Sequence, residues 1–476
     1  MKRPHDIAEE RVEFAVAIAD TRGVYVAGTR QATDPREIVP PGARVDPRAV
    51  FSLLQFGAVI PPLTIWQEVS RLLPGYRYQV AGGAARRVGV VSLPSVSVAD
   101  NVDAQADAVE RIIDAALEPI ERPVILFSGG VDSGLIAARA KALGKTDALL
   151  VNYSFGPDDS ESRLAEAMAL TLGLRFERIG AGIEDPTTCL KAPGRVYPFP
   201  FGDHSTVPTS ALARAIVARI ERGSVLLDGT GADGAFGMAA KVANWQRVFR
   251  IPAILRELAG SLHSRVWAIH SSIEIWTRLM RRSSRMPFLS AVLAQNALAG
   301  ITYDDAHARE VHSMLGEWVG GWAGTTPACQ VTAGDLAMTC ANTFAQKARP
   351  VFDVAGLDVQ YPFLADDAVA MGLASNSWNL DQPKAPLKRA LARHVPREMV
   401  YRPKAGFVDV SGAVFHCRQF IEYLVDAAEH GPISEALRRK PIMQAAALLA
   451  RGKRLPAQTL NLLWSIVFLD RWLKTV

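Results

Sequence analysis

The sequence predicts an α/β protein: a doubly wound parallel sheet, continued by a helical C-terminal part and preceded by a small strand-rich N-terminal domain. Three observations predict it. Residues 124–133, VILFSGGVDS, run an apolar, β-branched strand straight into a glycine turn, and a helical pattern resumes over 134–143. Strands and helices then alternate, with strands at 148–153, 175–179 and 224–227 and helices at 161–172 and 208–220. After about Ala240 strand signals fade, and the chain to Val476 reads as helical, with loops near 320–328 and 349–362.

Residues 1–95 form the predicted N-terminal domain. Phe14, Val16 and Ile18, then Val24 and Val26, alternate about Thr21-Arg22-Gly23, which predicts a hairpin. A proline-rich loop at 35–47 leads into a short helix at 50–56. The segment LTIWQEVSRLLPGYRYQV, 63–80, predicts a helix stopped by Pro74-Gly75 and followed by a strand. The second predicted domain, 99–476, opens on an amphipathic helix at 99–117.

Bulk properties narrow the function classes. With 476 residues, 49% hydrophobic and 21% charged, the chain has ample material for a buried core. A net charge of +5 permits an anionic small-molecule substrate and does not call for nucleic acid. The four cysteines form no CxxC pair, which argues against zinc, iron–sulfur clusters and a disulfide framework and suits a reducing cytoplasm. The opening MKRPHDIAEERVEF has no apolar signal core, and no apolar run reaches membrane-spanning length, so the expectation is a cytoplasmic protein without a membrane partner. The basic run TRLMRRSSR, 277–285, predicts a solvated helix face or linker ahead of a docking patch for an acidic or peptide substrate. His204 and His394 have no partner at readable spacing and are expected to be structural.

Two motifs carry chemistry. In SGGVDS, Gly129 and Gly130 let bare backbone approach an anion, Ser128 and Ser133 add hydroxyl donors, and the following helix turns its positive end to the same place. Asp132 would repel a phosphate unless a divalent cation lay between them, which predicts magnesium. In LLDGTGADGAFG, 226–237, Gly229, Thr230 and Gly231 would lie against a nucleotide while Asp233 shares the magnesium with Asp132. Ligands of such sheets bind at the carboxyl ends of the strands, so Ser128, Ser154 and Asp228 are expected on one rim. Asp159 and Glu161 read as acids at a helix N-terminus.

SGGVDS lacks the lysine of the GxxxxGK nucleotide loop. It resembles the pyrophosphate loop of the ATP pyrophosphatase (adenine nucleotide α-hydrolase-like) superfamily, whose members cleave ATP between the α and β phosphates. LLDGTGADGAFG resembles the asparagine synthetase segment G-E-G-x-D-E, with Thr230 and Gly234 where acids are usual. VNYSFGPDDSES, 151–162, resembles the family's second strand and loop, which implies Asn152, through its backbone, and Ser154 at the adenine. KAPLKRALARHVPREMVYRPKAGF, 384–407, resembles K-x-x-L-R … lP … RpK-x-GF, with Lys388 where arginine is usual. The resemblance implies Lys384 and Lys404 as the cations on the leaving pyrophosphate, with Lys404 also placed for the oxyanion formed when an amine attacks. GLDVQYPFLADD, 356–367, resembles GLEvRvPFLD and departs from it at Gln360 and Ala365, which implies a rebuilt acceptor pocket.

Together these segments resemble the family of asparagine synthetase, β-lactam synthetase and lasso-peptide cyclases. The resemblance implies an enzyme using ATP and magnesium to adenylate a carboxylate, releasing pyrophosphate, and then to form an amide with loss of AMP. The turn LLPG, 72–75, resembles the end of the family's glutaminase domain. Where glutamine-using members carry a cysteine after the initiator Met, this chain has Lys2, the preceding region is about half the expected length, and no cysteine precedes Cys189. Glutamine hydrolysis is therefore not expected, and the amine belongs to the substrate or to a second small molecule. The more specific expectation is lasso-cyclase-like macrolactam closure of a peptide in specialised-metabolite biosynthesis, with the helical part and the basic run suiting a peptide and a precursor-peptide-processing protein admissible as partner. The rivals are an asparagine synthetase-like or β-lactam synthetase-like ligase using free ammonia or a small amine, a catalytically dead scaffold, and a tRNA-modifying enzyme of the same superfamily. Thr230, Gly234 and Gln360 speak against free ammonia, and the lack of an RNA-binding module against the last.

Overall fold

The structure, a computed structural model, describes residues 12–81, 84–96, 101–154, 159–180, 185–374, 383–402 and 411–476. Its centre is a five-stranded, wholly parallel sheet built from β7 (Val124–Leu126), β8 (Leu149–Ser154), β9 (Arg175–Gly180), β10 (Val225–Leu227) and β11 (Asp358–Gln360), in the order β11-β10-β7-β8-β9. From β7 the chain steps outward to β8 and β9, then returns to the other side of β7 to lay down β10. The strand order therefore reverses between β7 and β10, and loops leaving the carboxyl ends of these two neighbours share one crevice. Leu227 pairs with Ile125, so both strands end level.

After α1 (Pro47–Phe56) of the N-terminal segment, helices α2 (Val102–Leu117), α3 (Val131–Ala142) and α4 (Ser160–Leu172) follow the expected alternation. Asn101 caps α2 and Asp159 caps α4, each carboxamide or carboxylate accepting two backbone N–H bonds of the first turn. The sheet's core is made of Ile125, Leu150, Leu226 and Val359 from the strands against Ile136, Val109 and Ala165 from these helices. β11 falls in a stretch read from sequence as a loop. Three residues between Gly356, at φ 76°, and Pro362 are too few to show a period of two; the strand exists because β10 offers it an edge.

Two N-terminal expectations are corrected. β1 (Val12–Ala15) and β2 (Tyr25–Ala27) form no hairpin with each other: β1 pairs with β5 (Tyr76–Ala81), itself paired with β6 (Ala84–Val90), while β2 pairs with β3 (Arg30–Ala32) and β4 (Ser70–Arg71). The chain does turn, with Arg22 and Gly23 donating backbone N–H bonds to the Asp20 carboxylate. The buried Arg71 guanidinium binds that carboxylate, the Asp20 carbonyl and Asn342, so both arms of the turn take partners from the 70–81 segment. Residues 63–69 are not helical. Thr64 donates to the carbonyls of Trp66 and Val69, and Asp46 and Gln67 bond across to Ile65 and Arg44, so side-chain and tertiary bonds take the backbone groups a helix needs. The N-terminal segment and the C-terminal helix Ala457–Leu473 share one core, where Trp66 meets Trp472 at 5.1 Å between ring centroids.

The basic run is also corrected. In the helix Ser272–Arg285, Thr277, Arg278, Met280, Arg282 and Ser283 are buried. Arg282 donates to the carbonyls of Ala294 and Asn296, and Arg278 to Glu274 and Gln458, so these guanidinium groups tie helices together and are available neither to solvent nor to a substrate. His204 bonds Asn461 at 3.0 Å and His394 lies 3.4 Å from Glu110. Among the described residues no helix is long and apolar enough to cross a membrane.

Two further histidines set an acid limit. His312 is buried between the ring edges of Phe51 and Phe56, and His263 beside Arg282, Arg278 and Arg281; neither ring has a hydrogen-bond partner among the described residues. Burial pushes His312 down to about 4; burial, then the arginines, push His263 down to about 3. Both are neutral when folded, whereas the unfolded chain protonates each near pH 6.5. Stability is thus fully present above that pH and is lost below it, approaching about 1.4 kcal/mol per pH unit per histidine until the folded values are reached. The melting temperature is expected to fall between pH 7 and pH 4.5, and His312→Leu to remove a large part of the fall; an unchanged pH dependence in that variant would contradict this assignment.

Candidate active site

The loop after β7 places Ser128, Gly129 and Gly130 directly before α3. Gly129 has φ 69°, and a Cβ there would stand 2.6 Å from the Cα of Ala165, so both backbone angle and close packing against α4 require glycine. The Ser133 hydroxyl accepts from the Ser128 N–H and lies 3.2 Å from the Ser128 hydroxyl, which accepts from the Gly130 N–H. These bonds hold a small cup over the start of α3. Gly130 caps the helix without a side-chain bond, so its first-turn N–H groups and positive dipole end face the cup.

The loop after β10 meets that cup. Gly229 packs on the start of α3, where a Cβ would be 3.0 Å from that of Asp132 and 3.4 Å from the Ser133 nitrogen. Asp228 accepts the Thr230 N–H at 2.7 Å, closing a tight turn, and Gly231, at φ 105°, abuts Phe363 and Leu364. The short helix Ala232–Phe236 then carries Asp233 in its first turn.

Lys384 joins the two motifs. Its Nζ lies 2.6 and 2.8 Å from the Asp132 carboxylate oxygens and 2.7 Å from Asp233 Oδ1, with the residue only 9% exposed. Burial draws the ammonium pKa down, but the charges and hydrogen bonds of the two aspartates outweigh it and the net shift is upward, so Lys384 is charged at neutral pH. It is also the non-glycine residue held in the left-handed region among those described, at φ 60° and ψ 32°, a conformation costing about 1–2 kcal/mol. A bond from its N–H to the Phe236 carbonyl anchors the strained backbone to the Asp233 helix. Strain of this kind persists where the surroundings fix a side chain in place.

Asp132 and Asp233, expected to share a magnesium ion, therefore converge on one point from different loops. Two carboxylates suit magnesium, which keeps several waters and completes its shell with substrate phosphates; no cage of three or more His, Cys, Asp or Glu exists among the described residues, and magnesium does not need one. Asn152 is brought close, but its carboxamide is spent inside the fold, donating to the Phe127 carbonyl at 2.8 Å and accepting from Ser162. Ser154 ends β8 and is buried, on the same rim as Ser128 and Asp228. Lys404 lies outside the described residues.

Two groups were not singled out from sequence. Arg402 donates from Nη2 to the Gly129 carbonyl at 3.0 Å, bringing a second cation to the glycine turn; it was in view as the first residue of RPKAGF. Asp335 is buried on a π-helical stretch, Asp335–Ala345, with burial raising its pKa against the pull of Lys241 at 3.8 Å. Its carboxylate is 3.1 Å from where a Cβ on Gly234 would sit, beside Leu336 and Cys340 at 3.0 and 3.1 Å. An acid at position 234 would lack room and would oppose Asp335, which accounts for glycine there; nothing in the sequence pattern links residues a hundred positions apart.

No curated protein matches this chain. The family described as asparagine synthase matches residues 106–474, which include both carboxylate loops and Lys384. A parallel sheet whose switch-point loops converge on one buried lysine, under a family match covering most of the sequence, places this protein in the asparagine synthase family, whose members are ATP-dependent amide-forming ligases.

Proposed function

We propose that this enzyme adenylates a substrate carboxylate and then closes an amide with an amine carried by the same peptide, in the manner of a lasso-peptide cyclase. The observation that carries the adenylation half is the Asp132–Lys384–Asp233 bridge beside the glycine turn. ATP lies with its β and γ phosphates in the cup of Ser128, Gly129, Gly130 and Ser133, and with its adenine toward the backbone of Asn152 and Ser154. Gly229, Thr230 and Gly231 bring backbone against the ribose and α phosphate. Asp132 and Asp233 would hold magnesium, which would supply charge neutralisation on the phosphates. A carboxylate oxygen attacks the α phosphorus and the bond to the bridging oxygen breaks; Lys384 and Arg402 balance the charge that accumulates on pyrophosphate. The amine next attacks the acyl carbon, AMP leaves with the bonding electron pair, and the amine proton passes to solvent or base. Lys404, two residues beyond Arg402, is assigned to the oxyanion of that second step.

The choice of an amine within the substrate is supported by the lack of any cysteine among residues 1–188 to serve as a glutamine-hydrolysing nucleophile. Cys189, the first cysteine in the sequence, has its thiol pushed up to about 12 by burial, which removes it as a substitute. The basic run lends a peptide little support, because Arg278 and Arg282 are internal.

The test is a pyrophosphate-release screen over peptides bearing a side-chain carboxylate and a free amine, with the product weighed by mass spectrometry. Loss of one water from a peptide that triggers release supports the proposal; release only with aspartate and ammonia contradicts the peptide assignment. Lys404→Ala is expected to bind ATP as the wild type does and to form no amide, and full turnover in that variant would remove its assigned role.

A further inference from the structure

The helix Ser272–Arg285 is inside out. Arg278 and Arg282 are buried and bonded, while its large apolar side chains face water: Ile273 is 62% and Trp276 49% exposed. The helix packed beside it, Ala253–Ser261, shows the same polarity, with Ile254, Leu255 and Leu258 at 68%, 52% and 63%, and the link between them exposes Ile269 at 52%. At roughly 200 Å² for a large side chain fully in water, these six residues present on the order of 700 Å² of apolar surface. That sum lies above the largest patch of an ordinary monomer, about 300–600 Å², and close to one partner's share of a standard interface, about 800 Å².

The pair is rigid. A Cβ on Gly260 would fall 2.7 Å from the Cα of Arg281, so the two helices touch backbone to backbone, and Arg256 donates across the join to the Ser283 carbonyl. A surface that stays apolar while the guanidinium groups of the same helix are drawn inward is built for contact and is not a loose flap.

We infer that this helical pair is the interface for a second copy of the chain, packed about a twofold axis as a four-helix bundle with Trp276 among its anchors. Its fixed charges favour that occupant. The exposed charged residues from 250 to 276 are Arg250, Glu257 and Arg265, of both signs, which a twofold contact can pair across the axis, whereas an anionic bilayer selects a rim of one sign.

Sedimentation velocity on the full chain at tens of micromolar tests this. The wild type is expected to sediment at about twice 51.5 kDa, and the double variant Leu258→Glu, Trp276→Glu at 51.5 kDa with an unchanged circular dichroism spectrum. Both substitutions lie on exposed positions, so folding and association read out separately. A monomeric wild type, or a double variant that remains dimeric, overturns the inference. So does a wild type that is monomeric in solution and cosediments with phosphatidylglycerol vesicles, which would assign the face to a bilayer. The result is independent of the substrate reading, because pyrophosphate release is not its readout.

Discussion

Replacing Lys384 with methionine is expected to lower AMP and pyrophosphate formation by roughly 10²–10³-fold, about 3–4 kcal/mol of transition-state stabilisation. The side chain joins the start of α3, through Asp132, to the second carboxylate loop, through Asp233, while the Lys384 backbone N–H bonds the Phe236 carbonyl. Arginine should restore only a small part of the rate, since a planar fork cannot fit between two carboxylates arranged around a compact ammonium. Lys384→Gly separates function from strain: it relieves a left-handed backbone while deleting the charge, so the melting temperature should move by no more than a few degrees as activity collapses. Steady-state pyrophosphate release set beside calorimetry checks both; near-normal turnover in either variant would show that the ammonium serves the fold alone.

Asp132→Asn is the second large effect. Asp132 stands in the first turn of α3 and is the less exposed of the two carboxylates, with 23% of its side chain accessible against 61% for Asp233. Removing its charge should raise the magnesium concentration for half-maximal pyrophosphate release at least tenfold and lower the maximal rate by roughly 10²-fold. Asp233→Asn should act in the same direction and less strongly. A magnesium titration at fixed ATP reads this directly, and curves that superimpose on the wild type would mean that the pair holds only the lysine.

Most of the central sheet was legible because its signals are local and redundant. Apolar β-branched runs, glycine turns and helical periods agree over 124–227, and each strand there lies within a residue or two of its expected place. What was missed depended on partners distant in sequence. The 63–69 segment has a helix-like spacing of apolar residues, yet its backbone bonds to 44–46 and its own threonine; β11 is a strand because of the edge it meets. The arginines of 277–285 looked solvated since a sequence shows charge and not the carbonyls of Ala294 and Asn296 that wait for it. In the site, glycines and acids announced themselves by type and spacing, whereas Asp335 reaches Gly234 through tertiary packing and leaves no trace in the motif.

Adenylation joins a substrate carboxylate to AMP through one of its own oxygens. Its most direct measurement is phosphorus NMR and mass analysis of the nucleotide products, using the carboxylate selected by the pyrophosphate screen with both of its oxygens isotopically heavy. AMP and pyrophosphate are expected in equal amounts, with one heavy oxygen carried into the phosphate of AMP. ADP and inorganic phosphate, or AMP without the label, would contradict it.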